Sequence, residues 1–234
     1  MGKLYDDKSI ESLSPLEFTR LRPGVYAGDC TYSTQLLIEI FSNAVDEFNS
    51  GNGSVIDVEI RKDIVKVKDY GQGFLVNSVR EDGKTILEAA FSVLNTSGKY
   101  REDGTYEGTS LGSFGIGSKI TTFLANWLIV KTCRDGKFEE IKFIEGVFDS
   151  RKVGDTSEPN GTTVQWKPSA EFFTNTEVEA GKVKDLLKTT ASLCQGLTIN
   201  LDLDGKKETY FSKNGLNDLV DEKFGGSEII SKRL

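Results

Sequence analysis

The sequence predicts an α+β fold, a two-layer α/β sandwich in which helices cover a mixed, mostly antiparallel sheet. Three observations carry that expectation. Segments of period-two apolar patterning come in adjacent pairs around short turns, as hairpins do. Segments of helical period stand between and after them. Strict strand–helix–strand alternation, the mark of a doubly wound parallel sheet, is missing.

Residues 1–33 read as an irregular arm, punctuated by Pro15 and an RPG turn at Arg22–Gly24. A helix over about 34–49 follows, with Leu37, Ile40, Phe41, Ala44 and Phe48 on one apolar face. Ser54–Arg61 and Ile64–Lys68 alternate as strands of a hairpin turning at Lys62–Asp63. The second strand runs into the turn Asp69-Tyr-Gly-Gln-Gly73, and Thr85–Leu94 reads as a short helix. Asn95–Gly117 is too glycine-rich for a regular element and too long for a casual connection, so it reads as a lid or binding loop. Ser118–Ala125 is the next helix. Trp127–Cys133 and Phe138–Ile144 form a hairpin around Arg-Asp-Gly-Lys, and Gly161–Lys167 is a further strand. Glu177–Cys194 is a helix, and Leu197–Leu203 with Glu208–Phe211 is a final hairpin across Asp204-Gly205. The expected division is an N-terminal arm over 1–30, one domain over 31–220, and a tail over 221–234.

Composition removes several classes of function. The chain has 234 residues, enough to bury a full core. Its 37% hydrophobic and 28% charged residues are those of a globular protein rather than a disordered one. No apolar run of about 18 residues is present, and the acidic start has no secretion signal. Cys30, Cys133 and Cys194 are too scattered for a disulfide framework or a metal clip, and a cytoplasmic location is expected. There is no histidine, so any general base must be a carboxylate, Lys, Tyr or Cys. The net charge of −7 argues against gripping nucleic acid with the whole surface.

Four constellations could carry chemistry. On the first helix, Glu39, Asn43, Asp46 and Glu47 share one sector of roughly 100°. An ordinary solvated face would account for this, yet the stripe holds no Lys or Arg to mix its sign. Acids beside an amide also suit Mg²⁺ and the activation of a water. Asp69-x-Gly71-x-Gly73 at a strand end is an expected turn composition. It could equally place a carboxylate at the sheet edge, to accept from a ligand amino group, with glycines admitting a close backbone. Gly112, Ser113, Phe114, Gly115, Ile116 and Gly117 lead into a helix, where free N–H groups and positive partial charge suit phosphate. This run is neither a P-loop nor a dinucleotide fingerprint, because it lacks Gly-Lys-Ser/Thr and a preceding strand. Gly161-Thr162-Thr163-Val164 alone is only a turn entering a strand.

Taken in order and spacing, Glu39…Asn43, Asp69-x-Gly71-x-Gly73, Gly112-x-x-Gly115-x-Gly117 and Gly161-Thr162-x-Val164 resemble the GHKL ATPase superfamily and its Bergerat fold. Within it, Leu21-Arg-Pro-Gly-Val-Tyr-Ala-Gly-Asp29 looks like a segment of type IIA DNA topoisomerase B-type subunits, those of gyrase and topoisomerase IV. LLIEIFSNAVDEF over 36–48, the SGKY run from Ser97 and the Arg134-Asp-Gly turn are also similar to that family. The resemblance runs from about Tyr5 to about residue 220.

That resemblance implies a set of roles. Glu39 would be the general base acting on the attacking water, and Asn43 would hold Mg²⁺ on the phosphates of ATP, with Asp46 beside it. Asp69 would accept the adenine amino group, aided by Thr162 through water. The Gly112–Gly117 loop would wrap the phosphates, with Lys99 near them and Tyr106 against adenine. Tyr5 and Ile10 would reach over a second copy of the chain, and in a full-length protein an A-type cleavage subunit and DNA would be partners. A chaperone-like nucleotide switch is the alternative, suggested by GSFGIG and opposed by the RPG segment.

The chain departs from the family at Gln72 (for Arg, the partner of Glu47), Leu75 (for Pro), Phe114 (for His) and Ser42 (for Asp). A divergent or viral member accommodates these changes. The family's transducer lysine is not among the motifs found, so the expectation is a piece that binds ATP and hydrolyses it slowly or not at all.

Overall fold

The computed structural model describes residues 13–94 and 115–224. Fifteen elements follow in order: helices α1 (Pro15–Leu21), α2 (Pro23–Ala27) and α3 (Thr34–Asn49); strands β1 (Val55–Arg61) and β2 (Ile64–Asp69); helices α4 (Ile86–Ser92) and α5 (Gly117–Leu124); strands β3 (Ala125–Arg134), β4 (Lys137–Ile144), β5 (Val147–Asp155) and β6 (Gly161–Pro168); helix α6 (Ala180–Leu193); strands β7 (Thr198–Leu203) and β8 (Lys206–Tyr210); and helix α7 (Leu216–Phe224). The eight strands form one sheet in the order β5-β4-β3-β6-β2-β1-β7-β8. Every pairing is antiparallel except that of β1 with β7. The α+β sandwich is therefore the observed architecture.

Period-two burial makes it a two-layer fold. Ile56, Val58 and Ile60 on β1, Val65 and Val67 on β2, Leu128 and Val130 on β3, and Val164 and Trp166 on β6 are all buried. They meet Leu36, Leu37, Ile40, Phe41 and Ala44 of α3, together with Ile120 and Leu124 of α5. Each fully buried aliphatic side chain is worth roughly 1.5–3 kcal/mol, so this seam dominates the stabilisation. The alternate positions face away from the helices and pair by charge: Arg61 forks onto Asp202, Lys66 meets Glu59, and Lys68 and Lys131 share Glu158.

The hairpins turn as their sequences demand. Asp135-Gly136, Glu145-Gly146 and Asp204-Gly205 each place two consecutive residues at positive φ, the two-residue geometry that matches strand twist. The second of these turns creates β5, a strand absent from the sequence expectation. It lies at the sheet edge and is exposed along nearly its whole length, so it carries no apolar alternation to announce it.

Residues 13–33 correct the expected irregular arm. Ser14 caps α1 in a reciprocal box with Glu17, and prolines at the starts of α1 and α2 supply the preset φ of a first helical turn. Pro15 and Pro23 thus begin helices instead of interrupting them. Arg20 then anchors α1, donating to the carbonyls of Phe123 and Glu145 and to the Glu171 carboxylate. The C-terminal part is likewise more regular than expected, since α7 runs through the boundary drawn at residue 220. The expected helix over Glu177–Cys194 begins three residues later, at Ala180.

Candidate functional site

Two strand ends and two helices bring the candidate residues together. β2 delivers Asp69 beside the start of β6, because the two strands are antiparallel with Lys68 opposite Thr163. The Asp69 carboxylate accepts from the backbone N–H of Gly71 at 2.9 Å and of Thr162 at 3.1 Å. It is 8% exposed. Burial pushes its pKa up to about 6, the two N–H donors pull it down, and the nearby negative charge of Glu47 adds to the rise. The result is an oriented acceptor in a nearly dry place, suited to a ligand N–H.

The glycines around Asp69 are explained by the protein's own packing. A Cβ on Gly71 would stand 2.6 Å from Glu47 Oε2 and 3.0 Å from Asp69 Oδ1. Gly73 takes φ +71° and has no room for a Cβ beside the Cys133 carbonyl; Gly161 takes φ +145° with the Asp69 carbonyl in the same place. The neighbours that crowd these positions within the chain are carboxylates and carbonyls. Thr132, fully buried on β3, stitches this end together: its hydroxyl accepts from Phe74 N–H at 2.8 Å and donates to the Gly161 carbonyl at 3.4 Å. Arg134 donates to the Gly73 carbonyl at 3.2 Å.

The helical side holds the other residues. Asn43 is exposed, Glu39 and Glu47 are half-buried, and Asp46 is 4% exposed, so the acidic stripe is not a uniformly solvated face. Glu39 Oε1 accepts from Gln35 Nε2 at 2.6 Å, one turn back on α3. Its other oxygen lies against Gly117 at the start of α5, where any Cβ would collide with it. Gly117 is therefore what lets the carboxylate stand at that helix N-terminus, where positive partial charge favours an anion. Gly115 adopts φ +61° just before it. Lys119, in the first turn of α5, is 3% exposed and donates to the Gly115 carbonyl at 2.5 Å. Burial lowers its pKa to about 8.

Glu39, Asn43, Asp46, Asp69, Gly71, Gly73, Gly115, Ile116, Gly117 and Thr162 thus fall on α3, on the β2 and β6 ends, and at the start of α5. Tyr5, Ile10, Lys99, Tyr106, Gly112, Ser113 and Phe114 lie outside the described residues. Sequence reasoning missed Gln35, Thr132 and Lys119. The first was available from the i, i+4 spacing to Glu39; nothing in the sequence marked Thr132. No cluster of His, Cys, Asp and Glu able to hold a metal occurs among the described residues. All three cysteines are free. No helix among the described residues is long and apolar enough to cross a membrane.

No family model matches the chain. It is 35% identical over 226 residues to the B subunit of DNA topoisomerase 4 from Enterococcus faecalis, covering 92% of this chain and 33% of that protein. It is 31% identical over 237 residues to the B subunit of DNA gyrase from Thermus thermophilus, covering 98% of this chain and 37% of the relative. The chain therefore spans about a third of the length of the curated relatives it matches. Among solved structures, the 43K ATPase domain of Thermus thermophilus gyrase B, in complex with an aminocoumarin, superposes with a TM-score of 0.77 at 28% identity. That match covers 93% of this chain and 57% of the other. The topoisomerase IV ATP-binding domain of Francisella tularensis, with a small-molecule inhibitor, also gives 0.77, at 25% identity over 94% of this chain and 60% of that one.

Proposed function

We propose, for a chain that is a homologue of gyrase B and topoisomerase IV B subunits and has the fold of their ATPase domains, that it binds Mg-ATP and serves as the ATP-hydrolysing module of a type II DNA topoisomerase. The observation that carries this reading is the Asp69 carboxylate, buried at the C-terminal end of the interior strand β2 and aimed by the N–H groups of Gly71 and Thr162. An acceptor so oriented selects an adenine amino group. That selection needs nothing from α5, whose glycine start instead gives a polyphosphate its N–H donors.

In this reading Glu39 polarises the attacking water. Its bond from Gln35 and its seat against Gly117 hold it at the N-terminus of α5, where the terminal phosphate would lie. Phosphoryl transfer to water asks for an oriented nucleophile and charge neutralisation, and a carboxylate base suits a chain without histidine. Asn43, exposed one turn from Glu39, would hold Mg²⁺ through its amide oxygen, and the ion would neutralise phosphate charge. Asp46, three residues on along α3, would stand beside that ion. Lys99, Tyr106 and the Gly112–Phe114 run complete the expected phosphate and adenine contacts. Tyr5 and Ile10, ahead of α1, would reach a second copy, and the helices and sheet from α1 to α7 would form the nucleotide domain. The A-type subunit and DNA are the partners of the full-length protein, in a reducing cytoplasm that suits three free cysteines.

Calorimetric titration with a non-hydrolysable ATP analogue and Mg²⁺ tests the reading. Saturable one-site binding, weakened in Asp69→Ala, is expected. Absence of binding in the unsubstituted chain overturns it.

A further inference from the structure

The nucleotide reading gives Lys119 no role, yet this charged side chain is almost wholly buried. It sits in the first turn of α5, where the helix end is already positive and acids are the favoured residues. It is 3% exposed, so its ammonium has lost nearly all of its water. A side chain on the first turn leans toward the helix N-terminus, and Lys119 Nζ accordingly reaches back to the Gly115 carbonyl at 2.5 Å. Gly115, at φ +61°, is the residue whose conformation turns the chain into α5. Gly117, two residues on, has no room for a side chain beside Glu39. The loop end is thus fixed from two directions, by Glu39 against Gly117 and by Lys119 on Gly115.

We propose that Lys119 is a positioning residue for polyphosphate: by holding the Gly115 carbonyl inward, it keeps the backbone N–H groups at the start of α5 turned toward the bound phosphates, and its charge adds to theirs. This rests on the nucleotide reading above. Burial lowers the ammonium's proton affinity.

The test is the split between phosphate-dependent and base-dependent binding. Affinities for adenosine and for a non-hydrolysable ATP analogue with Mg²⁺ are measured in the unsubstituted chain and in Lys119→Met, which keeps most of the apolar packing of the side chain without its charge. The analogue should bind about tenfold more weakly in the variant and adenosine equally well, with the Gly115 and Gly117 amide resonances shifted before nucleotide is added. Lys119→Gln, polar but uncharged and one bond shorter, should show the same split and serves if the methionine variant does not fold. Equal analogue affinity in variant and parent overturns the proposal, as does an equal loss of adenosine and analogue, which marks a merely structural lysine. An unsubstituted chain that binds neither ligand overturns the nucleotide reading itself, and is distinguished by failing before any substitution is made.

Discussion

The two ends of the candidate site are built on different principles. At the Asp69 end everything rests on the sheet: the carboxylate is held by backbone N–H groups, and Gly71, Gly73 and Gly161 are packed so tightly that a methyl group has no place. At the Glu39 end the groups stand on the facing surfaces of α3 and α5, and side chains such as Gln35 and Lys119 hold them. Recognising a flat base asks for fixed acceptors, which paired strand ends provide. Chemistry at a phosphate asks for groups that can meet a metal and a water, which need room. The difference teaches that, under the proposed function, selection and catalysis should be separable by substitution.

The largest separation should come from the helical end. Glu39→Ala is expected to slow single-turnover phosphate release from Mg-ATP by about 10²–10⁴-fold, the usual loss of a general base. Affinity for a non-hydrolysable analogue should stay within a few-fold. Retained turnover would remove Glu39 from its role. At the sheet end the sensitive part is backbone. Gly161→Ala should cost about 3 kcal/mol in urea-melt stability, combining the strain of positive φ with a Cβ forced onto the Asp69 carbonyl. A variant as stable as the parent would show that this end is less rigid than its geometry indicates.

How much of this was legible in the sequence follows the same division. The helix at 34–49, three hairpins and the helix starting near residue 118 could be read, because apolar period and turn chemistry encode them locally, whereas Thr162 was singled out only through the family resemblance. β5 could not be read from periodicity, since an exposed edge strand buries nothing; the Glu145-Gly146 pair between Ile144 and Val147 was its one signal. Pro15 and Pro23 were read as breaks because a proline looks the same to the sequence whether it ends a segment or opens a helix; Ser14 with Glu17 three residues on was the capping signature that distinguishes the two. Thr132 and the seat of Glu39 against Gly117 were beyond reach. Both join residues far apart in the chain, and only the pairing of strands or the packing of helices brings them together.

A smaller effect sharpens the selecting role. Asp69→Asn preserves the shape and an oxygen for Gly71 and Thr162 but turns a donor toward the base. Adenosine affinity should fall by about 10- to 100-fold, the cost of losing a hydrogen bond to a charged group, about 1.5–3 kcal/mol. The same variant should melt no lower than the parent, because it removes a buried charge. An unchanged affinity would take base selection away from this end of the site.

The smallest effect is a pH dependence in which binding and stability move oppositely. Burial raises the Asp69 pKa from 3.8 to about 6, with the charge of Glu47 contributing. The folded chain therefore takes up this proton at a higher pH than the unfolded chain does. Above pH about 6 the buried carboxylate costs the fold about 3 kcal/mol; that cost shrinks as pH falls through about 6 and is gone below about 3.8. Stability of the parent relative to Asp69→Asn should rise on acidification across that window. Adenosine affinity should go the other way, since only the ionised carboxylate accepts freely from the amino group: about twofold weaker at pH 6 than at pH 8, when half the sites are protonated. Adenosine is the proper ligand because it has no phosphate to titrate there. Glu47→Gln should move the binding midpoint downward by removing the neighbouring charge, and leave the Glu39 end untouched. Affinity that is flat from pH 8 to pH 5.5 would mean that Asp69 does not meet the base, whatever its burial.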